Sequence, residues 1–166
     1  MATAEIQYDP AALSPLETAG PTIEVIGTTA KRLAWALDDT TQEYLNGSFK
    51  VPTDIDTGGT VTFRVMTMAK TGAASKNVAL ALDHQAVDHN EDLDPAFPYT
   101  TEASGDKAMI ATQDDLTEIT WTETVGNLAW TAHDLVAVRI SRTVASANNL
   151  VGDLYLLLLT IEIPLA

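Results

Sequence analysis

The 166-residue sequence predicts an all-β fold, an antiparallel β-sandwich or jelly roll of eight or nine strands that follows an extended N-terminal arm. Eight segments of strand length alternate apolar and polar residues with a period of two. Hydrophobic residues make up 46% of the chain, which is ample for a core, and no segment keeps a helical period over three turns. So many antiparallel strands in about 145 residues are typical of two packed sheets.

Residues 1–21 precede the first alternating segment and are predicted as an arm, separate from a β-sandwich domain over 22–166. Prolines at 10, 15 and 21 fix φ and remove backbone donors, so the segment is a poor helix and a poor central strand. Two interpretations stay open: the segment lies on its own domain, or it packs on a neighbouring subunit. The apolar side chains available for either contact are Ile6, Tyr8, Leu13 and Leu16.

The strands that follow are separated by residues that favour turns, as at 52–59 and 71–72. The segment 60–69 is the clearest of them, because Val61, Phe63 and Val65 alternate with threonine and arginine. Trp35 and Trp121 fall on apolar strand faces, which predicts that both are core residues. The predicted strands are 22–27, 31–38, 44–51, 60–69, 77–83, 116–125, 135–142 and 154–163, with a possible ninth at 107–112.

The last predicted strand, 154–163, begins with residues that are apolar on both faces. Exposed at a sheet edge, it would invite aggregation. We therefore expect a central strand, covered on one face by the core and on the other by the arm, a loop or another subunit. Residues 126–135 predict a turn with one short helical piece.

Charge and composition exclude several functions. Asp plus Glu total 23 against 9 Lys plus Arg, and the net charge of −14 disfavours binding to nucleic acid or to anionic lipid. The sequence contains no cysteine, so thiol catalysis and Cys-ligated metals are excluded. No segment reaches the length of a membrane span, and no signal peptide is recognisable. We expect synthesis in the cytoplasm.

The predicted loop 83–106 is long and acidic, and such loops are often functional. Oxygen-bearing side chains occur there at alternate positions, as in calcium loops. A helix-flanked calcium loop would need Gly and Glu where this sequence has Leu93 and Tyr99. The loop is therefore either a looser calcium site or a solvated acidic segment, and we predict no cofactor. The calcium candidates are Asp88, Asn90, Asp92 and Asp94.

Catalysis has little support in the sequence, and the protein is predicted not to be an enzyme. The sequence has no nucleophile elbow and no phosphate-binding loop. A Ser–His–Asp set could assemble from distant positions around His84, His89 or His133, but nothing local points to one. Arg139 and Arg142 are expected to pair with neighbouring acids, Asp134 and Asp153.

Some aromatic residues fall outside the apolar strand faces, which suggests a second kind of function. Exposed aromatic rings can stack on sugars, so a carbohydrate-binding module is an alternative. The candidate stacking residues are Phe97, Tyr99 and Trp130.

The C-terminal part of the sequence has a recognisable order of motifs. Trp121 leads to His133-Asp134-Leu135, then to an apolar strand ending at Arg142, a polar turn, Gly152-Asp153 and a final apolar strand. Over residues 35–163 this order resembles a domain of virion proteins from tailed phages and prophages.

The resemblance implies a jelly-roll structural protein of a virion, most simply a capsid decoration or cement protein. Its partners would be the major capsid protein and copies of itself, as a homotrimer, and no nucleic acid or membrane. The arm would reach a neighbouring subunit, and the domain 22–166 would fold without it. The alternatives are a receptor- or carbohydrate-binding fibre head, although no shaft precedes the domain, and a small β-sandwich enzyme.

Overall fold

The computed structural model describes residues 2–15, 20–88, 91, 99–110, 112 and 115–166. These residues form twelve strands and one short helix. In chain order they are β1 (Thr3–Tyr8), β2 (Ser14–Pro15), β3 (Thr22–Ile26), β4 (Arg32–Leu37), β5 (Tyr44–Lys50), β6 (Thr60–Ala69), β7 (Asn77–Val87), β8 (Thr100–Ala103), β9 (Lys107–Ala108), β10 (Leu116–Thr124), α1 (Val125–Leu128), β11 (Leu135–Thr143) and β12 (Leu154–Pro164). No helix in the described part of the chain is long and apolar enough to cross a membrane.

The strands form two antiparallel sheets of six strands each, which confirms the predicted β-sandwich. Sheet 1 has the order β10-β6-β12-β4-β3, and β1 pairs with β12 beside β4. Sheet 2 has the order β2-β5-β11-β7-β8, and β9 pairs with β7. All eight predicted strands are present; seven have both ends within about one residue of those expected, and β7 extends four residues further, to Val87.

One apolar core lies between the sheets, because alternate residues of each strand point inward. Sheet 1 contributes Val61, Phe63 and Val65 from β6, as the sequence predicts, and sheet 2 contributes Val138 and Ile140 from β11. Trp35 and Trp121 also belong to this core, as expected.

The predicted central position of the last strand is confirmed. β12 pairs with β6 along one edge, and with β4 and then β1 along the other. Leu154, Leu156 and Leu159 are fully enclosed in the core. The register with β6 shifts between Leu156 and Leu158, so Leu157 and Leu158 both line the outer face of sheet 1.

The N-terminal segment belongs to its own sandwich, which corrects the interpretation of a subunit-bridging arm. β1 runs antiparallel to β12 over six residue pairs, and β2 pairs with β5. Tyr8 and Leu13 are 6% and 4% exposed within the core, and Ile6 packs against it half-buried. Tyr8 fits over Gly47, where a Cβ would lie 2.8 Å from the ring. Leu16 lies outside the described residues.

The loop between 83 and 106 is shorter than predicted. β7 continues to Val87, and β8 occupies Thr100–Ala103 and pairs with β7. The ninth predicted strand is reduced to two residues, Lys107 and Ala108.

The prediction of Trp130 as an exposed stacking residue is wrong. α1 begins after Thr124, whose hydroxyl accepts a hydrogen bond from the Asn127 N–H, and ends at Ala129 in the left-handed region with φ 54°. The next residue, Trp130, is 1% exposed. Its ring contacts Phe49 edge-on, at 5.3 Å between centroids.

Arg142 is a buried cation that joins the two sheets, not a surface partner of Asp153. It is 4% exposed, and its guanidinium donates to the carbonyl oxygens of Leu37, Leu150 and Gly152. Burial lowers its pKa, yet a guanidinium keeps its proton at neutral pH. Three backbone acceptors, one on β4 and two in the loop before β12, therefore share one donor side chain.

We expect Tyr8→Ala to lower the free energy of unfolding by about 3–5 kcal/mol, because it removes a core ring. Tyr8→Phe should be neutral or slightly stabilising, because the buried Tyr8 hydroxyl has no hydrogen-bond partner among the described residues and burial raises its pKa to about 12. Urea denaturation measures both. Gln7→Ala, at an exposed neighbour, is the control, and equal stability of Tyr8→Ala and Gln7→Ala would contradict the placement of β1.

We expect Arg142→Met to cost about 3–5 kcal/mol of stability, because two buried carbonyl groups and one half-buried carbonyl group lose a donor. Arg64→Met is the matched control. Arg64 lies on the surface between Glu118 and Glu162, where an ion pair contributes about 0–1 kcal/mol. Similar unfolding midpoints for the two variants in urea would show that Arg142 does not hold the sheets together.

Candidate functional site

The outer face of sheet 2 is polar over four neighbouring strands. Side chains alternate along each strand, and Leu45, Leu82, Val138 and Ile140 belong to the core. The residues between them therefore point outward. The residues of this polar face are Tyr44, Asn46 and Ser48 on β5, Ala137, Arg139 and Ser141 on β11, Ala81, Asp83 and Gln85 on β7, and Thr101 on β8.

Arg139 lies at the centre of the polar face. In the strand register it stands opposite Asn46 on one side and Asp83 on the other. Its guanidinium carbon lies 4.5 Å from the centroid of the Tyr44 ring and 4.2 Å from that of Tyr99. Both distances are within the range of cation–π attraction. Tyr99, a predicted stacking residue, therefore does reach a candidate site.

The ion pair that fixes Arg139 differs from the prediction. Its Nε donates to Oδ2 of Asp83 at 2.5 Å, and the Thr101 hydroxyl donates to the other carboxylate oxygen at 2.6 Å. The predicted partner Asp134 instead accepts hydrogen bonds from Thr131, three residues earlier. Asp83 is 6% exposed, so its charge and the guanidinium hold each other in one geometry.

Several groups on the polar face have hydrogen-bonding capacity to spare. Ser48 is exposed and Gln85 half-buried, and their side chains bond to no described residue. The Asn46 amide nitrogen donates to the Ser14 carbonyl at 3.2 Å, which leaves its oxygen open. The face thus offers fixed rings together with free donors and acceptors.

A buried histidine lies directly beneath this face. Trp130 Nε1 donates to His84 Nδ1 at 3.2 Å, so neutral His84 carries its proton on Nε2. That nitrogen has no hydrogen-bond partner among the described residues and lies 3.8 Å from Glu102 Oε1. Burial lowers the pKa of His84, while burial, and then Glu123, raises the pKa of Glu102.

This arrangement does not suit a metal. Coordination through Nε2 would require the proton to move to Nδ1, which accepts from Trp130. Within the described ranges, no three His, Cys, Asp or Glu residues are placed to hold a metal ion. The calcium candidates stay a prediction: Asp88 directly follows β7, whereas Asn90, Asp92 and Asp94 lie outside the described residues, as does the stacking candidate Phe97.

A groove of about 890 Å³ crosses the outer face of sheet 1, and no local sequence pattern indicates it. Its floor includes Met66, Met68, Leu157 and Leu158. At its rim, Lys70 donates to Glu24 at 2.8 Å and to Asp153 at 2.9 Å, and the Tyr155 hydroxyl donates to Glu24 at 2.6 Å. The Lys70 ammonium thus holds two carboxylates at the rim, and the groove itself is mainly apolar.

We expect acid to destabilise the protein partly through His84. Its folded pKa lies below the ordinary value of 6.5, so the unfolded chain binds the proton more readily. This contribution is absent well above pH 6.5, and it grows as the pH falls, by at most about 1.4 kcal/mol per pH unit. His84→Gln keeps an acceptor for Trp130 and should lose less stability between pH 7.5 and about 5. Urea denaturation at both pH values measures the difference, and equal losses would contradict the assignment.

No protein-family model and no curated protein matches this sequence. Solved structures with a similar fold include a family 35 carbohydrate-binding module from Clostridium thermocellum, with 10% identity, a TM-score of 0.55 and coverage of 95% of this chain and 97% of that chain. The CBM22-2 xylan-binding domain of Paenibacillus barcinonensis Xyn10C has 14% identity, a TM-score of 0.56 and coverage of 95% and 98%. The xylan-binding module CBM15 has 18% identity, a TM-score of 0.50 and coverage of 99% and 100%. At these identities the likeness establishes the β-sandwich fold, and it does not test the resemblance to virion proteins.

Proposed function

We propose that this protein is a non-catalytic module that binds oligosaccharides on the polar face of sheet 2. The observation that carries the proposal is the fixed group of Tyr44, Arg139 and Tyr99, surrounded by uncommitted amide and hydroxyl groups.

The chemistry of the polar face matches that of a sugar chain. A sugar ring presents hydroxyl groups, which need donors and acceptors, and C–H edges, which pack on aromatic rings. Tyr44 and Tyr99 are both half-buried, so part of each ring stays accessible. Asn46, Ser48 and Gln85 supply polar groups at neighbouring positions. The four strands of the polar face span about 14 Å, enough to contact more than one unit of an extended chain.

The central side chains are already in place before a ligand arrives. Asp83 holds Arg139 at 2.5 Å, Thr101 holds Asp83 at 2.6 Å, and both tyrosine rings flank the guanidinium. Such pre-organisation reduces the entropy lost on binding. The fold likeness gives further support, because similar structures include modules named for binding carbohydrate or xylan.

A hydrolytic role fits the polar face poorly. Glycoside cleavage ordinarily uses two carboxyl groups on either side of the scissile bond. Among the described outward residues of β5, β7, β8 and β11, Asp83 supplies the one carboxylate, and it is engaged by Arg139 and Thr101.

Capsid decoration stays a prediction from the sequence resemblance, together with the virion location, the major capsid partner and the trimer. Its mechanism needed an arm that reaches a neighbouring subunit. Because Tyr8 and Leu13 are enclosed in their own core, that mechanism lacks two of its contact residues. Sugar binding explains more of the exposed chemistry.

Isothermal titration of the full chain with linear oligosaccharides of xylose, glucose and galactose tests the proposal. We expect at least one of them to bind. Tyr99→Ala should weaken that binding about tenfold through loss of a stacking surface, and Gln85→Ala should weaken it by a few-fold.

Gln7→Ala is the matched control, because it removes an exposed glutamine from sheet 1 and should leave the affinity unchanged. Thermal denaturation verifies that each variant is folded. An absence of binding to every sugar, or equal affinities for wild type, Tyr99→Ala and Gln85→Ala, would contradict the proposal.

A further inference from the structure

The groove on the outer face of sheet 1 is formed where the β3–β4 hairpin extends past its pairing with β12. β4 pairs with β12 from Leu37 to Trp35, and the register of β12 with β6 shifts directly after the last of these pairs. β3 and β4 stay paired with each other further along, up to Ile26 opposite Arg32. The end of the hairpin therefore lines one side of the groove, and β12 contributes to its floor.

The floor of this groove is apolar and adaptable. The register shift brings both Leu157 and Leu158 to it, beside Met66 and Met68 on β6. Leu116 on β10 lies at the far side and is 51% exposed. Methionine side chains adjust to irregular apolar ligands, and the volume of about 890 Å³ falls within the roughly 300–1,000 Å³ of small-molecule sites. The surface thus suits a flexible hydrocarbon chain.

The charge of the groove is opposite to that of the whole protein. Among the described residues that line it, both charged side chains are cations, Arg32 and Lys70, although acids outnumber bases by 23 to 9 in the chain. Lys70 is engaged by Glu24 and Asp153. Arg32 is therefore the cation that a ligand in the groove could pair with.

The Arg32 side chain has no partner within the described part of the protein. It is exposed, and it forms no hydrogen bond or ion pair with any described residue. It stands opposite Ile26, which packs on the outer face of sheet 1, so it is directed to that face as well. Asp9 lines an adjoining cleft with Arg32 but accepts instead from the N–H groups of Ala11 and Ala12. A guanidinium presents donors only, in a planar fork that matches a carboxylate.

We propose that this groove binds a fatty acid, with its hydrocarbon chain on the methionine and leucine floor and its carboxylate against Arg32. Leu116 on β10 and Arg32 on β4 are three strand spacings apart, about 14 Å, so the two ends of the groove differ as the two ends of such a ligand do. The net charge of the protein opposes this contact only weakly. Charges further away than about 10 Å are largely screened at 0.1 M salt, whereas Arg32 meets the carboxylate directly.

Methyl NMR of the full chain, isotope-labelled at the methionine methyl groups, tests the location of the site. The sequence has four methionines, of which Met66 and Met68 lie in the groove and Met109 is buried in the core. Decanoate below its micelle concentration should shift the Met66 and Met68 signals saturably and leave those of Met109 and Met1 in place. Substitution of each methionine by leucine assigns the signals. Unchanged Met66 and Met68 signals, or equal shifts of all four, would overturn the proposal.

A charge variant tests the role of Arg32. Arg32→Gln should weaken decanoate binding about tenfold, because it removes a charge-assisted hydrogen bond, and it should leave the binding of decanol unchanged. Lys50→Gln is the matched control, because it removes another exposed cation, from β5 of the opposite sheet, and should bind decanoate like wild type. Equal decanoate affinities for wild type and Arg32→Gln would overturn the proposal.

A comparison of three ligands on the wild-type chain needs no substitution. Decanoate, decanol and decyltrimethylammonium share one hydrocarbon chain and differ in the charge of the head group. Decanoate should bind most tightly, and equal affinities for all three, or tighter binding of the cation, would overturn the proposal. Tyr99→Ala should leave decanoate binding unchanged, because the sugar-binding face belongs to the other sheet. A failure of this proposal is thereby distinguished from a failure of sugar binding.

Discussion

The arrangement of sheet 1 depends on the two edges of β12. One edge pairs with β6, and the other is shared by β4 near its start and by β1 near its end. The shift in register at Leu156–Leu158 lies between these two neighbours. β12 is apolar on its inner face, and both of its edges pair with other strands. It can therefore contain the run Leu154–Leu159, five leucines and one tyrosine, without leaving an apolar strand edge open to pairing with another chain. β4 covers this second edge of β12 only near its start, so β1 is required to complete the hydrogen bonding along the rest of the edge.

The polar face and the core are linked through consecutive residues of β7. Asp83 points outward to Arg139, and His84 points inward to Trp130. A period of two puts these two chemistries on opposite faces of one strand. The surface charge pair and the buried ring contact therefore come from adjacent residues of β7.

Most of the sandwich could be predicted because its strands alternate strictly, as β6 and β11 do. The N-terminal strands could not be predicted because prolines lie within and beside them, and β8 could not because Thr100–Ala103 shows no apolar alternation.

The candidate site was less predictable than the fold. Tyr99 was identified by its residue type, whereas the partnership of Asp83 and Arg139 joins positions 56 residues apart and follows from strand order, which local patterns do not encode. Trp130 was misassigned because the turn at Ala129 directs it inward.

The pairing of β1 with β12 also brings the two ends of the chain together. Thr3 stands opposite Pro164, and the Leu165 N–H donates to the Ala2 carbonyl at 3.0 Å. A short peptide could join these neighbours, and new ends could open at the exposed turn around Gly72, where a side chain would meet no other atom. Every strand pair of both sheets would survive such a circular permutation. The pairing of the strands is in this sense separable from the order in which they follow one another along the chain.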